Sequence, residues 1–354
     1  ISRAKRKLET LTNLRVIAIT GSYGKTTLKE ILKTVLSIKY HVLSTPESVN
    51  TPVGIARLIL GALTPDVQIL LVEMGAYRRG EIKRMCEIAR PDIAILTGIN
   101  EAHLERFGNL ENTVEAKFEI VKYAKRLATA FLNEDNVLVK KNYSRFMGNR
   151  KEFFYASVEI KNRKFLPELP GFEFEIEGVT HRIPFLGEYI LGSVVAAFKV
   201  GKHLGVPNAL LHNALDHIRP VPHRLQPVKT PGDILVIDDS YSGNPEGVEA
   251  AIEALKQFGD RRKIYITPGL VEMGEKIRDI HVEIGKQLAG AADMVILIKN
   301  SVTPFINEGI VCAPSDRTNV VWFENASSAH AALRKILKAG DVILFQNDWP
   351  ENYQ

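Results

Sequence analysis

The chain has 354 residues, of which 45% are hydrophobic and 25% are charged. This composition is typical of a soluble globular protein and excludes a largely disordered chain, and the length predicts about two domains. The formal net charge of +5 suits an anionic substrate or a nucleotide. Without a patch that combines arginines with aromatic residues, it does not indicate nucleic-acid binding.

The chain begins with a basic stretch, and residues 1–13 predict a helix that leads into the first strand. The basic residues 3–7 could adjoin a membrane anchor that precedes Ile1, or they could form a solvated helix face, which we favour. No apolar run is long enough to span a bilayer. Cys86 and Cys312 lie far apart without metal-ligand spacing, so we expect reduced core residues in a reducing, cytoplasmic compartment.

Residues 16–36 form the most informative stretch. Residues 16–19 predict a buried strand, residues 28–36 predict a helix, and the pattern Gly-x-x-Gly-Lys-Thr lies between them. Gly21 and Gly24 would let the backbone amides face an anion, Lys25 would reach the outer phosphates of a nucleotide, and the Thr26 hydroxyl would ligate Mg²⁺. The first glycine of the longer pattern is missing, because position 19 is Ile. The alternative is a chance glycine turn before a helix.

The next strands lead to an acidic residue. Residues 41–43 predict a short strand, and residues 44–52 predict a loop that closes at 53–54. Residues 68–72 predict a buried strand that ends at Glu73. Because parallel strands end at the same edge of a sheet, Glu73 is a candidate partner for Mg²⁺ or its bound water. The alternative is an ordinary solvated acid at a strand end.

Alternating strands and helices continue in the chain. Residues 92–97 predict another strand, and a helix from about Glu111 contains Lys117, so we expect a doubly wound parallel sheet. A hairpin formed by residues 172–176 and 181–183 interrupts this pattern. Helices follow at 188–204 and 207–217.

Pro220 and Pro222 stiffen the chain, and we place the domain boundary there, between residues 1–222 and residues 223–354. The second part restarts the α/β alternation, and two such domains would form a cleft. Its predicted strands are at 233–237, 263–267, 294–298, 319–323 and 341–345.

Taken together, these motifs resemble the Mur ligases, the ATP-dependent amide-forming enzymes of peptidoglycan assembly. The resemblance extends over almost the whole chain. It implies a P-loop central ATP-binding domain over 1–222 and a smaller, Rossmann-like ligase domain over 223–354. The residues that carry it are 20–27, Asn50 with 53–54, 73–76 with 80–82, His103 with 107–108, 116–117 with 119–120, 223–225, and 238–241 with 244–245.

The implied activity is carbon–nitrogen ligation. ATP phosphorylates a substrate carboxylate, and an amine then attacks the acyl phosphate. The expected partners are a small peptidoglycan precursor and an amino acid or dipeptide, with no nucleic acid, and the protein would be a monomer. One alternative is the same mechanism on a non-UDP substrate, as in folylpolyglutamate synthesis or with a lipid-linked acceptor. Another is a nucleotide-binding partner protein that has lost turnover.

The resemblance also assigns residues. Thr26 and Glu73 would hold one Mg²⁺, and His103 would help to bind a second. Lys117 matches a lysine that family members carbamylate with CO₂, although from sequence alone it is an ordinary helix lysine. The expected catalytic residues are Lys25, His103, Lys117 and Arg224, of which Arg224 would reach the γ-phosphate. The expected nucleotide contacts are Gly21, Ser22, Tyr23, Gly24, Lys25, Thr26, Thr27, Asn50, Arg224, Asp239 and Asn244.

Three features depart from the family pattern. No UDP-binding domain precedes the phosphate loop in this sequence. The family pattern His-Asn-x-x-Asn, which belongs to the adenine side of the nucleotide site, is replaced. Its His and two Asn positions are occupied here by Tyr189, Ile190 and Ser193. The Lys-Gly-Ser of the second domain is replaced by residues 346–348, Gln-Asn-Asp. The sequence therefore supports ATP use more firmly than it identifies the two substrates.

Overall fold

The computed structural model describes residues 1–100, 107–230, 232–241, 243–271, 273–315 and 317–346. The chain divides into two compact units. The first unit comprises Ile1–Arg163, Phe174–His181 and Tyr189–Ile218. The second unit comprises Lys164–Glu173, Arg182–Glu188 and the chain from Arg219 onward.

A six-stranded parallel sheet forms the centre of the first unit, in the order β2-β3-β1-β4-β5-β6. In the central strand β1, Val16 and Ala18 enter the core on one face. Since side chains alternate along a strand, Ile17 and Ile19 are buried on the other face. The strands are β1 (Arg15–Thr20), β2 (Val42–Ser44), β3 (Ile69–Glu73), β4 (Ile93–Leu96), β5 (Thr129–Asn133) and β6 (Lys151–Tyr155).

Helices cover both faces of this sheet, which confirms the predicted doubly wound fold. Helices α1, α3, α4 and α5 pack together on one face, and α2, α8 and α9 pack on the other. The helices are α1 (Ser2–Glu9), α2 (Lys25–Ser37), α3 (Pro52–Ala62), α4 (Glu81–Ala89), α5 (Leu110–Lys122), α6 (Val137–Asn142), α7 (Ser144–Met147), α8 (Ile190–His203) and α9 (Asn208–Leu215).

The second unit contains another six-stranded sheet, in the order β10-β11-β15-β12-β13-β14. Only the edge strand β10 runs antiparallel to its neighbour. Helices α10, α11 and α12 contribute to one core, and α13 contributes to the other. The elements are β10 (Gln226–Lys229), β11 (Leu235–Asp239), α10 (Pro245–Lys256), β12 (Lys263–Thr267), α11 (Ile277–Ala289), β13 (Met294–Ile298), α12 (Thr303–Cys312), β14 (Asn319–Phe323), α13 (Ala326–Ile336) and β15 (Val342–Gln346).

A third sheet has the order β7-β8-β9, with β7 (Lys161–Leu166), β8 (Gly171–Ile176) and β9 (Val179–Ile183). The turn between β8 and β9 consists of Glu177 and Gly178, both with positive φ values. Two consecutive positive φ values are the signature of the tight turn that joins twisted hairpin strands. This confirms the hairpin that the sequence predicts.

The structure also adds to and corrects the expectations. The predicted loop over residues 44–52 is present, but it leads into helix α3, which the sequence did not predict. This helix begins at Pro52, and the Thr51 side chain caps it by accepting from Gly54 N. Cys312 is exposed, whereas Cys86 is buried as expected. Strands β5, β6, β7 and β10 are not among the strands predicted from the sequence. Among the described residues, none of the helices has the length and hydrophobicity to cross a membrane.

His281 ties two parts of the second unit together. Its Nε2 accepts a hydrogen bond from Leu270 N at 2.9 Å, so its Nδ1 carries the proton and donates to Ile277 O at 2.6 Å. The side chain is fully buried, and burial lowers the pKa of this imidazole below its ordinary value of 6.5. The folded protein therefore keeps His281 neutral under conditions in which the unfolded chain binds a proton.

We expect His281 to make the protein less stable in mild acid. Below about pH 6.5 the unfolded state takes up a proton that the folded state excludes, so the free energy of unfolding falls as the pH falls. His281→Gln can keep one donor and one acceptor, and it should reduce the drop in Tm between pH 7 and pH 5. The exposed His330→Gln is the matched control. Equal pH dependence in all three proteins would contradict the assignment.

Candidate active site

The glycine loop lies between β1 and α2 and is held against the end of β4. Ser22 N donates to Gly98 O at 2.8 Å, and the Thr97 hydroxyl contacts the carbonyl oxygens of Tyr23 and Thr20. A Cβ atom on Gly21 would lie 2.0 Å from Thr97 Oγ1, and Gly24 has a φ of 71°. Both glycines are therefore required by the shape of the loop.

Lys25 opens helix α2 and folds back over this loop. Its Nζ donates to Gly21 O at 2.9 Å and to Ser22 O at 3.3 Å. No side chain of the described residues caps the N-terminus of α2, whose N-cap position is Gly24. The first backbone N–H groups of the helix are thus available to an anion, beside the positive charge of Lys25.

Thr26 and Glu73 form a pair of oxygen donors next to the loop. The Thr26 hydroxyl donates to Glu73 Oε1 at 3.2 Å. Glu73 is 5% exposed, and its backbone N–H is fixed by Thr45 Oγ1 at 3.0 Å. Since β1 and β3 are parallel with Ile19 opposite Glu73, the carboxylate lies at the same edge of the sheet as the loop.

A buried lysine of helix α2 also lies close to Glu73. Lys29, one turn after Lys25, is fully buried, and its Nζ lies 3.4 Å from Glu73 Oε2. The two oxygens of Glu73 therefore face different partners, the Thr26 hydroxyl and the Lys29 ammonium.

Lys117 is the second buried lysine of this unit. It lies on α5 with 3% exposure, and its Nζ donates to Ala76 O at 3.3 Å and lies 5.5 Å from the centre of the Phe107 ring. Burial lowers the pKa of this amine to about 7, repulsion from Lys25 adds to the shift, and Glu81 opposes it. A substantial fraction of Lys117 is therefore uncharged near neutral pH.

Asn50 lies beside the segment that follows Glu73. Its carbonyl oxygen accepts from Gly75 N at 3.1 Å, and its side chain lies 3.0 Å from the position that a Cβ atom on Gly75 would occupy. The structure thus brings together, around one edge of the first sheet, residues 21–27, Asn50, Glu73 and, through Ala76, Lys117. His103 lies outside the described residues.

The predicted residues of the second unit cluster at the end of β11. Asp239 is fully buried and accepts from Leu225 N at 3.0 Å, while His223 Nδ1 lies 2.8 Å from Asp238 Oδ2. These bonds anchor the chain on both sides of Arg224, which is partly buried.

Asn244 caps helix α10 by accepting from Gly247 N at 2.9 Å. Of residues 346–348, only the buried Gln346 is described, and its side-chain oxygen accepts from Thr267 Oγ1 at 3.2 Å. The roles of Arg224, Asp239 and Asn244 toward a nucleotide stay predictions.

Two residues of the candidate site, Thr97 and Lys29, are not among those expected from the sequence. Thr97 falls within the predicted strand 92–97, although a threonine at the end of a parallel strand can bond to a neighbouring loop. Lys29 falls within the predicted helix 28–36, which assigns it no role. Its spacing of three and four residues from Thr26 and Lys25 places all three on adjacent parts of one helix face, and this was the available signal.

The comparisons with known proteins agree with this architecture. Residues 19–201 match the Mur ligase middle domain, and residues 223–346 match the Mur ligase glutamate ligase domain. Homologues with these two domains are ATP-dependent ligases that form amide bonds. The chain belongs to the Mur ligase family.

Relatives identified by sequence and by structure match almost the whole chain. The UDP-N-acetylmuramoyl-tripeptide–D-alanyl-D-alanine ligase of Bacillus subtilis is 28% identical over 351 residues, which cover 97% of this chain and 75% of the relative. The crystal structure of the MurF ligase from Thermotoga maritima in complex with ADP has a TM-score of 0.86 and 30% identity, and the match covers 98% of this chain and 79% of that one. A pseudomurein peptide ligase type C from Methanothermus fervidus, at 19% identity, shares the fold with a TM-score of 0.69.

We expect Gly21→Ala to disable the loop. The added methyl group would collide with Thr97 Oγ1, and overpacking of this kind costs about 1–3 kcal/mol. The variant should melt at a lower temperature and lose most of its affinity for ADP in calorimetry. Gly61→Ala is the control, because no atom lies within 4 Å of its added Cβ. Wild-type ADP affinity in Gly21→Ala would show that the loop does not bind nucleotide.

Proposed function

We propose that this protein is an ATP- and Mg²⁺-dependent ligase that joins a carboxylate to an amine in peptidoglycan precursor synthesis. The observation that carries the proposal is the pairing of Thr26 and Glu73 at 3.2 Å beside an uncapped, glycine-rich helix N-terminus. The names of the relatives support the same reaction class.

The nucleotide would lie at the end of β1. The N–H groups of the loop and of the first turn of α2 would bind its phosphates, and Lys25 would exchange its bonds to Gly21 O and Ser22 O for phosphate oxygens. Asn50 lies near enough to this edge to contribute, since it packs on Gly75 two residues after Glu73. Ser22, Tyr23 and Thr27 complete the proposed set in this unit.

The donor set of Thr26 and Glu73 fits Mg²⁺. Magnesium takes one or two protein oxygens together with water and substrate phosphates, so it does not need a cage of protein ligands. Bound there, the metal would neutralise charge on the transferring phosphoryl group. Among the described residues no group of three His, Cys, Asp or Glu side chains is placed to hold a metal, and His103, proposed for a second Mg²⁺, lies outside them.

The reaction has two steps. A carboxylate oxygen of the first substrate attacks the γ-phosphorus of ATP and ADP leaves. The uncharged amine nitrogen of the second substrate then attacks the acyl carbon, inorganic phosphate leaves, and the nitrogen releases one proton. Both steps depend on positioning and on charge neutralisation. Lys25 supplies positive charge in the first unit. Arg224 is the proposed cation from the second unit, with Asp239 and Asn244 proposed near the nucleotide.

Lys117 would act as a carbamate. The reaction of CO₂ with an amine requires the uncharged form, and burial together with Lys25 lowers the pKa of this lysine to about 7. The carbamate would carry a negative charge. Residue 117 and Lys25 would then attract each other, whereas two charged lysines repel each other. Such an anion can ligate or orient a metal shell.

The substrates proposed first are those in the names of the relatives, a UDP-N-acetylmuramoyl-tripeptide and D-alanyl-D-alanine. Two described positions depart from the family pattern. Tyr189 is 38% exposed at the start of α8, where Ile190 and Ser193 are buried, so adenine would be held differently from the family pattern. Gln346 stands where the family pattern has lysine, in the domain expected to receive the amine. A second candidate is therefore the same mechanism on other substrates, with a non-UDP carboxylate.

Phosphate release tests the reaction class. With ATP, Mg²⁺, the UDP-linked tripeptide and D-alanyl-D-alanine, we expect release that needs both substrates. Lys25→Ala should lower this rate at least about 100-fold, as expected for removing one transition-state contact, while its melting curve stays close to wild type. Lys33→Ala, on the exposed face of the same helix, is the control. Failure of every substrate pair with the wild-type protein would favour a nucleotide-binding partner protein.

Lys117 has a separate test. Carbamate formation should increase as the pH rises through about 7, because the amine then loses its proton. With ¹³C-bicarbonate, we expect a carbamate NMR signal that is absent from Lys117→Ala. This variant should be nearly inactive and partly rescued by a short carboxylate such as acetate. Lys122→Ala, an exposed position on the same helix, should retain both the signal and the rate. An active Lys117→Ala would indicate an ordinary buried lysine.

A further inference from the structure

Lys29 places a positive charge inside the first unit, one turn of α2 after the glycine loop. Its side chain has no exposed surface, and its Nζ lies 3.4 Å from Glu73 Oε2. A second carboxylate oxygen, Glu30 Oε1, is also 3.4 Å away, but the Glu30 side chain is 36% exposed. Lysine is rarely buried completely unless it is paired. Glu73 is therefore the buried partner of Lys29.

The contact between these residues is ionic. Among the described residues, Lys29 Nζ has no hydrogen-bond partner, and 3.4 Å exceeds the usual 2.7–2.9 Å of a charge-assisted hydrogen bond, by about half an ångström. Both carboxylate oxygens of Glu73 can therefore accept further bonds. The hydrogen bond that Oε1 accepts from the Thr26 hydroxyl is long, at 3.2 Å.

Stability alone does not explain a lysine at this position. Burying an ion pair costs desolvation free energy, and apolar side chains of similar volume often stabilise a core as well or better. The neighbours Leu28 and Leu32 on the same helix are buried apolar residues. The charge at position 29 is thus matched to the carboxylates of Glu30 and Glu73, of which only Glu73 is buried.

We propose that Lys29 is a positioning residue that fixes Glu73 as a metal ligand. Lys29 attracts Oε2, and the carboxylate plane is then oriented so that Oε1 points toward Thr26, the other proposed ligand. Lys29 also supplies positive charge beside a carboxylate that has little contact with water. This inference rests on the proposed function of Glu73 in binding Mg²⁺.

A purely structural ion pair and a positioning residue differ in their effect on metal binding. Loss of a structural pair lowers the melting temperature and leaves the metal affinity of the folded protein unchanged. Loss of a positioning residue weakens metal binding specifically, because Glu73 is then free to turn away from Thr26. Nucleotide binding without metal depends on the loop and should be unaffected.

The test uses Lys29→Met, which keeps the length of the side chain and removes its charge. Mn²⁺ is titrated in the presence of ADP and followed by electron paramagnetic resonance, and ADP binding is measured separately in EDTA. We expect the Mn²⁺ affinity to fall at least tenfold, with ADP affinity in EDTA within twofold of wild type. Lys33→Met, four residues further on and exposed, should match wild type in both measurements.

Glu73→Gln completes a double-mutant cycle. If Lys29 acts through Glu73, then Lys29→Met should change Mn²⁺ affinity less than twofold in the Glu73→Gln background. The double variant should also melt at a higher temperature than the two single effects predict, since neither charge is left unpaired. If Lys29→Met alone fails to fold, folding of the double variant supports the pairing, and its failure to fold overturns it.

The outcomes separate two kinds of failure. Unchanged or tighter Mn²⁺ binding by Lys29→Met, or an equal tenfold loss in the Glu73→Gln background, would overturn the role of Lys29 alone. Absence of Mn²⁺–ADP binding by the wild-type protein would overturn the proposed metal site, and the role of Lys29 with it.

Discussion

The parallel register of three adjacent strands is the constraint on which the site depends. Ile19 of β1 lies opposite Glu73 of β3, and Thr20 lies opposite Leu96 of β4. Two hydroxyl groups also fix the segments that follow the strand ends. Thr20 Oγ1 donates to Met74 O at 2.7 Å, and the Thr97 hydroxyl contacts the Tyr23 carbonyl. A shift of β1 by one residue relative to its two neighbours would move Thr26 away from Glu73 and break these bonds together.

The charges around this edge differ in how they are balanced. Lys25 lies over carbonyl oxygens, Lys29 lies against the buried carboxylate of Glu73, and Lys117 is largely desolvated with a lowered pKa. The positive charges of Lys25 and Lys29 favour the binding of a polyphosphate at this edge, and repulsion from Lys25 adds to the lowering of the Lys117 pKa.

The sequence predicted the parts of the structure whose signals are local. Hydrophobic runs, the glycine spacing and the strand-end position of Glu73 predicted the parallel sheet and the edge that carries the site. Strand β6 was missed because it lies at the sheet edge with Lys151 and Glu152 exposed. Helix spacing could place Lys29 near Thr26, but the contacts with Glu73 and with the Tyr23 carbonyl could not be predicted, because Lys29 and Thr97 are distant from these partners in the chain and the contacts depend on strand register. The lowered pKa of Lys117 depends on burial, which a lysine in an amphipathic helix does not reveal.

The strands at two sheet edges affect how this chain behaves at high concentration. β2 has only three residues, and β10 contains Pro227, which has no N–H to offer to an incoming strand. Unpaired edges are the usual templates for edge-to-edge association between copies of a protein, and short strands and prolines make them poor templates. In each of the two six-stranded sheets, one edge strand is therefore a poor template for aggregation between copies of the chain.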